Sequence, residues 1–260
     1  MNQLHNLSVL VKKECTEYIR DLKLIWLPIV FIGVGIMHPI TMKLLPTMMG
    51  KVNGIILDPN AKVPSGNEIF AGVFGQLNQF GLLIVALTLM GGIVKEKQNG
   101  VLDILLSKPV STSNYLISKY FSSSLLLLLS VVIGSLAGLY YTNIFYSPVD
   151  MELFSKSLML YGLWFLLLIT LGVTASAIAN TQIQAAAITV ILPTVLMIAG
   201  NYSNPLIDRI FPSRLSENAV SLMAGHPLTT GWEINIVITV LVIIGLYSLA
   251  YLQMRYKRRS

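Results

Sequence analysis

The sequence is poor in charge. Of its 260 residues only 12% are Asp, Glu, Lys or Arg, while 54% are hydrophobic and the mean hydropathy is +0.71. A soluble domain carries about 25% charged residues, so there is too little polar surface here to cover a water-soluble globule. The charges are also clustered, which leaves long uncharged runs between them. This pattern indicates a protein that crosses a membrane several times.

Cysteine is nearly absent as well, because Cys15 is the single one in the chain. One thiol excludes an internal disulfide and cannot form a thiolate metal site alone. The motifs of several enzyme classes are missing too: G-x-x-x-x-G-K-[ST] for phosphate binding, H-E-x-x-H for zinc and G-x-S-x-G for a nucleophile. We therefore expect a chain that is not an enzyme and that binds neither a metal nor a cofactor.

Six apolar runs are long enough to cross a bilayer, which takes about 20 residues in a helix. They are residues 24–42, 69–94, 115–141, 157–179, 185–202 and 234–253. One helix through the fourth and fifth runs would measure about 69 Å, roughly twice a bilayer, so we expect a turn at residues 180–184. The sequence predicts an all-α protein with six spans in one transmembrane domain, residues 1–260.

The basic residues predict the orientation. With the N-terminus inside, twelve of the 18 Lys and Arg residues lie on the inner side and six on the outer side. This asymmetry places both termini in the cytoplasm. The N-terminal residues lack a small-residue cleavage site, so we expect them to remain on the protein. The net charge of +6 then reflects topology and contact with lipid, and we expect no nucleic-acid partner.

Two cytoplasmic segments have the pattern of amphipathic helices. Residues 7–22 precede the first span and would lie along the membrane surface, although Glu14 and Asp21 fall on the apolar arc. Residues 98–108 lie between spans two and three, have a broad apolar arc, and are ended by Pro109. This second helix either floats at the lipid interface or docks onto a cytoplasmic partner, and its periodicity fits both.

The stretch Ile93–Lys119 resembles the permease subunits of bacterial type 2 ABC transporters. It reads IVKEKQNGVLDILLSKPVS and then YLISK, which matches a pattern of Glu, Gly four residues later, L-L-S-x-P and a Lys that opens the third span. Ser111 and Thr112 stand where that family usually has a basic residue. The resemblance covers most of the chain at the level of architecture.

The resemblance implies a subunit of an ATP-driven exporter in the bacterial cytoplasmic membrane. ATP would bind to a separately encoded P-loop ATPase, and the permease would work as a homodimer or heterodimer. Residues 96–109, the coupling segment, would sit in a groove of the ATPase, where Glu96 would meet a basic residue. The implied ATPase-coupling residues are Glu96, Gly100, Val101, Asp103, Leu105, Leu106, Pro109 and Lys119.

The polar residues inside the predicted spans are uncharged. They include Gln76, Asn78 and Gln79 in the outer half of span two, and Thr170, Thr174 and Ser176 in span four. Such residues either form hydrogen bonds between helices or line a path for substrate. The lack of a charge well inside any span argues against a proton-coupled carrier. A membrane-embedded scaffold that sequesters a soluble partner, and an ATP-independent channel, remain as alternatives.

Overall fold

A computed structural model describes residues 3–53, 64–102, 111–200 and 209–257 of the chain. These residues are helical and contain no strand. The helices are α1 (Gln3–Arg20), α2 (Lys23–Asn53), α3 (Gly66–Leu89), α4 (Val94–Gln98), α5 (Thr112–Phe145), α6 (Met151–Ile178), α7 (Gln182–Gly200), α8 (Arg214–Met223) and α9 (Trp232–Lys257).

Six helices are long and apolar enough to cross a membrane, which confirms the predicted all-α, six-span class. Spans one to six are α2, α3 together with α4, α5, α6, α7 and α9. The helices extend beyond the apolar runs, because polar residues at the membrane surface continue them. The third, for example, begins at Thr112, where the Ser111 side chain accepts the Asn114 N–H.

The expected break between spans four and five is present as a short turn. α6 ends at Ile178 and α7 begins at Gln182. The Gln184 side chain accepts the backbone N–H groups of Asn180 and Thr181 at 3.2 and 3.3 Å, which satisfies donors that the new helix leaves without a partner. Gln184 therefore belongs to the first turn of α7 rather than to the connection.

The predicted amphipathic N-terminal helix is α1. Among residues 7–20 of this helix, Leu10, Glu14 and Tyr18, spaced four residues apart, are the buried ones. Leu22 follows with φ of 56°, a left-handed conformation that turns the chain from α1 into span one. α1 packs mainly against α5, so it is part of the bundle and not a free arm.

Span four is the centre of the bundle. In the most apolar part of span four 72% of the residues are buried, compared with 17% in the corresponding part of span six. Tyr161, Trp164 and Phe165 of α6 are fully buried, and Phe165 meets the Phe31 ring edge-on with centroids 5.9 Å apart. A helix that is apolar on all sides can be enclosed by other helices or face lipid, and span four is the one that is enclosed. The weakly buried spans leave apolar faces for lipid or for another protein.

Spans one and three approach each other through glycines. A Cβ atom added to Gly35 would lie 2.1 Å from the Gly134 carbonyl oxygen, and one on Gly138 would lie 2.8 Å from the Gly35 carbonyl oxygen. Only glycine permits backbones this close. The Gly134-x-x-x-Gly138 motif therefore packs span three against span one of the same chain.

Candidate functional site

Charged side chains from three helices meet at one end of the bundle, which we call the charged end. Lys13 and Glu14 come from α1, Glu96 from α4 and Lys119 from α5. We call these four residues the charge cluster. The exposed fraction of the side chain is 2% for Glu14, 4% for Lys119 and 9% for Glu96, whereas Lys13 is 35% exposed. Charges this deeply buried are retained only when partners compensate them.

The charge cluster alternates ammonium and carboxylate groups. Lys119 Nζ lies 2.7 Å from Glu14 Oε2 and 3.0 Å from Glu96 Oε1. Lys13 Nζ lies 3.0 Å from Glu14 Oε1 and donates to Glu96 Oε1. The Tyr115 hydroxyl donates to the remaining oxygen, Glu96 Oε2. Each carboxylate oxygen therefore has a donor, and two positive charges balance two negative ones.

Lys13 closes the charge cluster on the solvent side. Its burial and the neighbouring Lys119 ammonium oppose its charge, but the hydrogen bond to Glu96 and the charges of Glu14 and Glu96 outweigh them. The pKa of Lys13 is consequently raised above its usual value of 10.5. Beside it, burial raises the pKa of Tyr18, whose hydroxyl lies 2.9 Å from Ser123 Oγ. α1 is thus held by a charged and a neutral polar contact.

Span two is interrupted between α3 and α4, at residues 90–93. The N–H groups of Ile93 and Val94 donate to the side-chain oxygen of Ser176 in α6, at 2.9 and 3.2 Å. In a continuous helix they would donate to carbonyl groups four residues earlier. Ser176 therefore replaces the backbone acceptors that the interruption removes.

α4 is also tied to the turn between spans four and five. The Lys97 ammonium donates to the Ala177 carbonyl oxygen and lies 3.2 Å from that of Ala179. Gln98 Nε2 donates to the Asn180 carbonyl oxygen at 3.1 Å. A lysine at the last carbonyls of α6 is favoured by their partial negative charge. The start of the coupling segment is thus bound to three neighbours: α1, α5 and the α6–α7 turn.

The predicted ATPase-coupling residues fall into two groups. Glu96 and Lys119 meet in the charge cluster, Gly100 follows α4 with φ of 70°, and Val101 is exposed. Four more lie outside the described residues: Asp103, Leu105, Leu106 and Pro109. Both oxygens of Glu96 are engaged within the chain, and its pairing with a basic residue of the ATPase stays a prediction.

An open cleft of about 570 Å³ lies between α1 and α4. Lys12, Arg20 and Lys95 line it and are exposed. Glu17 and Glu96 also line it, but Glu96 is already neutralised by Lys13 and Lys119, and Lys13 Nζ lies 3.7 Å from Glu17 Oε2. The cleft therefore presents positive charge to solvent, directly beside the start of the coupling segment.

The oxygens of Glu14, Glu17 and Glu96 lie within 4.8 Å of one another, a spacing that a metal ion could bridge. Lys13 and Lys119 already contact these carboxylates. The protein's own ammonium groups supply the positive charge, and we assign no metal to the cluster.

Three of the five predicted path residues take part in packing. Asn78 Oδ1 accepts the Trp164 indole N–H at 2.8 Å. The Thr174 hydroxyl lies 2.6 Å from that of Tyr120, and Thr170 donates to a carbonyl oxygen of its own helix. These contacts link spans two, three and four in the way that polar residues join membrane helices.

The other two, Gln76 and Gln79, point away from this packing. Gln79 is exposed, and Gln76 is half-buried with an Oε1 atom that is buried without a hydrogen-bond partner in the part of the chain described. They lie about 15 and 20 Å along the helix from Gly66, at a depth well inside a bilayer. The structure therefore separates them from Asn78, Thr170 and Thr174.

Sequence reasoning identified Glu96 and Lys119 but not their partners on α1. The available signal was Glu14, an acidic residue on an otherwise apolar arc. A charge in that position needs a buried partner of opposite sign. Lys119 is that partner.

Comparison with known proteins agrees with the architecture. The family model described as "ABC-2 family transporter protein" matches residues 8–260. A relative in Bacillus subtilis (strain 168), described as the uncharacterized transmembrane protein YxlG, is 31% identical over 185 residues, which are 70% of this chain and 71% of that protein. The resemblance seen in residues 93–119 is thereby confirmed across nearly the whole chain. This multi-pass membrane protein belongs to the ABC-2 transporter family, as a membrane component.

Proposed function

We propose that this chain is the permease subunit of an ATP-driven exporter, coupled to a separately encoded P-loop ATPase. The observation that carries the proposal is the anchoring of α4. Glu96 binds it to α1 and α5 through buried ion pairs, and Lys97 binds it to the α6–α7 turn. A helix that only floats at the lipid interface needs no such contacts. A segment that transmits force into the spans needs to be bound to them by such contacts.

The ATPase would dock on the coupling segment and on the adjacent cleft. The exposed charges there are those of Lys12, Arg20 and Lys95, so the complementary ATPase surface would be acidic. ATP would bind to that partner alone, since this chain has no phosphate-binding loop. Glu96 would act by positioning the segment within the permease rather than by direct contact.

Two permease chains would face each other across the exposed stripe of span two. An amide exposed to hydrocarbon is costly, as is a buried amide oxygen without a donor, so the exposed Gln79 and the half-buried Gln76 both call for a polar neighbour at that depth. A second permease chain and a substrate path between the two would supply it. A Cβ added to Gly75, on the same stripe, would meet no atom within 4 Å, which leaves room there.

The charged end would face the cytoplasm of a bacterial cell. Lys12, Lys13, Arg20, Lys95 and Lys97 lie at this end, and basic residues concentrate on the inner side of membrane proteins. Both termini would then be cytoplasmic, and the direction of transport would be export.

A pull-down tests the proposal. The tagged chain is purified in mild detergent from its native membrane, and bound proteins are quantified by mass spectrometry. We expect a P-loop ATPase in near-equal amount. Reversing the cleft charge with Lys12→Glu, Arg20→Glu and Lys95→Glu should reduce its recovery. Lys156→Glu, at the start of span four and far from the cleft, is the matched control.

Two results would contradict the proposal. Recovery of a soluble protein that is not an ATPase would support the scaffold alternative. Substrate flux through the purified chain without nucleotide would support a channel.

A further inference from the structure

The interruption of span two is held by one side chain, and we infer that Ser176 is a positioning residue for coupling. Its hydroxyl keeps α3 and α4 in the broken arrangement and so sets the direction in which the coupling segment leaves the bundle. The consequence for ATP-driven transport rests on the proposed function. The effect on the shape of span two does not.

The hydrogen bonds of the interruption identify Ser176 as the deciding group. The helical ladder ends at Met90, whose N–H donates to Ala86, and resumes when Lys95 N–H donates to Gly91 at 3.1 Å. Between them, Gly92 N–H turns back to Leu89, only three residues away, at 3.0 Å.

The N–H groups of Gly92, Ile93 and Val94 lose their helical acceptors, and those of Ile93 and Val94 donate to a side chain instead of a carbonyl group. Both residues are buried, and both N–H groups donate to Ser176 Oγ. A buried N–H without an acceptor is strongly unfavourable, so the interruption needs this oxygen.

The Ser176 hydroxyl is used to its full capacity. It accepts two hydrogen bonds from α4 and lies 3.5 Å from the Met90 carbonyl oxygen, to which its proton can be donated. Ser176 itself is fully buried, in the last turn of α6. Water therefore has no access with which to replace it.

A second arrangement of the same residues also satisfies the backbone. If Ile93 and Val94 donated to the carbonyl groups of Leu89 and Met90, Gly66–Gln98 would form one helix of 33 residues. At about 1.5 Å per residue it would be about 50 Å long and would project beyond a hydrocarbon core of about 30 Å. Only the broken arrangement uses Ser176, so this hydroxyl favours it over the straight one.

The broken arrangement also places α4 against the α6–α7 turn. Val94 packs with Ala179 and Ala185, and Lys97 donates to the Ala177 carbonyl oxygen. Movement of the coupling segment then displaces spans four and five directly. In the straight arrangement these contacts would be lost, and force on the coupling segment would reach span two alone.

A distance measurement tests the structural part. Cysteines replace Asn99 and Ile183, both exposed, in a Cys15→Ser background that has no other thiol, and spin labels on them report the separation of α4 from α7 in lipid nanodiscs. We expect one narrow distance distribution for the parent. Ser176→Ala should add a second, longer population.

Two further variants keep the test decisive. Ser130→Ala removes an equally buried hydroxyl that donates within its own helix, to Leu126 at 2.8 Å, and should leave the distribution unchanged. Gly92→Ala favours the straight helix while keeping the Ser176 hydroxyl, because the added Cβ would make only ordinary contacts, with the Leu89 carbonyl oxygen at 3.4 Å and Ser176 Oγ at 3.9 Å. It should populate the longer distance as well. A distribution for Ser176→Ala equal to that of the parent would overturn the inference.

The role of Ser176 in coupling is tested on the complex of the permease with its co-purified ATPase. Both the ATP-driven change in label distance and the rate of ATP hydrolysis are measured on the same complex. We expect Ser176→Ala to bind the ATPase normally while the distance change for each ATP hydrolysed falls several-fold, and Ser176→Thr, which keeps the hydroxyl, to restore it. If the parent binds no ATPase, the proposed function fails. If the parent couples and Ser176→Ala couples equally well, the positioning role fails.

Discussion

At the charged end, every carboxylate oxygen of Glu14 and Glu96 has a donor, whereas the opposite half of the bundle leaves polar atoms unpaired. In the described residues, Gln76 Oε1, Tyr161 Oη and Asn218 Nδ2 are buried without a hydrogen-bond partner. The charged end has such an atom as well, Ser122 Oγ, one turn from Lys119, so what distinguishes it is that its buried carboxylate and ammonium groups are paired.

The difference follows from the cost of burial. An unpaired buried ion costs several kcal/mol, so a charged cluster tolerates essentially one arrangement. An unpaired neutral amide or hydroxyl costs about 1–3 kcal/mol, which a fold can carry in a few places. The charged end is therefore rigid and suited to receive force. The opposite half retains polar atoms that a second chain or a substrate could engage.

The largest effect should come from Lys119→Met, which removes the cation shared by Glu14 and Glu96. Two buried carboxylates would then face one half-exposed ammonium group. We expect a loss of about 3–5 kcal/mol in the free energy of unfolding, read as a lower thermal midpoint in detergent, and faster labelling of Cys15 as α1 detaches. Lys156→Met, at an exposed ion pair, serves as the control. A parent-like midpoint for Lys119→Met would remove the contrast between the two regions.

Adding Glu14→Gln to Lys119→Met should recover part of the lost stability. Lys119→Met alone leaves two carboxylates with the single ammonium group of Lys13, and Glu14→Gln removes the excess negative charge. The same thermal midpoint and Cys15 labelling rate report the recovery. No recovery would show that loss of packing, rather than charge, explains the single variant.

Tyr115→Phe should have the next largest effect, because its hydroxyl donates to a charged acceptor, Glu96 Oε2. Hydrogen bonds to charged groups contribute about 1.5–3 kcal/mol, and neutral ones about 0.5–1.5 kcal/mol. Tyr120→Phe removes the neutral bond to Thr174 and is the matched comparison. If removing a hydrogen bond costs more stability at the charged end, Tyr115→Phe lowers the thermal midpoint by more than Tyr120→Phe does. An equal or smaller effect of Tyr115→Phe would contradict this.

The opposite half should show a smaller and uneven response. Asn78→Leu leaves the buried Trp164 indole N–H without its acceptor and should cost about 1–3 kcal/mol. Gln76→Met, of similar shape, removes an unpaired oxygen and should leave the stability of the single chain unchanged or raise it, by up to about 1–3 kcal/mol. Thermal midpoints of the two variants test this difference. Equal losses would mean that Gln76 is as fully integrated in the fold as Asn78.

The smallest response should be to mild alkali. The pKa of Lys13 is raised in the folded protein, so its contribution to stability is complete below its unfolded value of 10.5 and is lost only as the pH rises through the raised value. Between about pH 7 and about pH 9 we expect unchanged protection of the α1 amides in hydrogen exchange, after correction for the intrinsic rate. Release of α1 in that interval would show that Lys13 does not hold it.

Much of the fold follows from local pattern. Apolar runs of sufficient length specify membrane helices, since backbone groups in hydrocarbon must be satisfied within the segment. Glu96 and Lys119 were identified from the resemblance of residues 93–119 to the permease family. What they contact was not predictable, because α1 and α5 are about one hundred residues apart in the sequence and the pairing of Glu14 with Lys119 depends on how the helices pack. The expectation that Glu96 meets a basic residue of the ATPase stays a prediction, and the structure adds the partners of Glu96 within the chain.

The sequence by itself determined the class of protein, the six spans and the amphipathic helix before them, because hydropathy and helical periodicity act over neighbouring residues. Tertiary structure alone decided which polar residues are used and how. Ser176, one of three polar residues noted in span four, supports a break in another helix, whereas Thr170 bonds within its own. A hydroxyl has the same chemistry at both positions. Its role depends on whether a neighbouring helix brings unpaired N–H groups within reach, and that is set by packing.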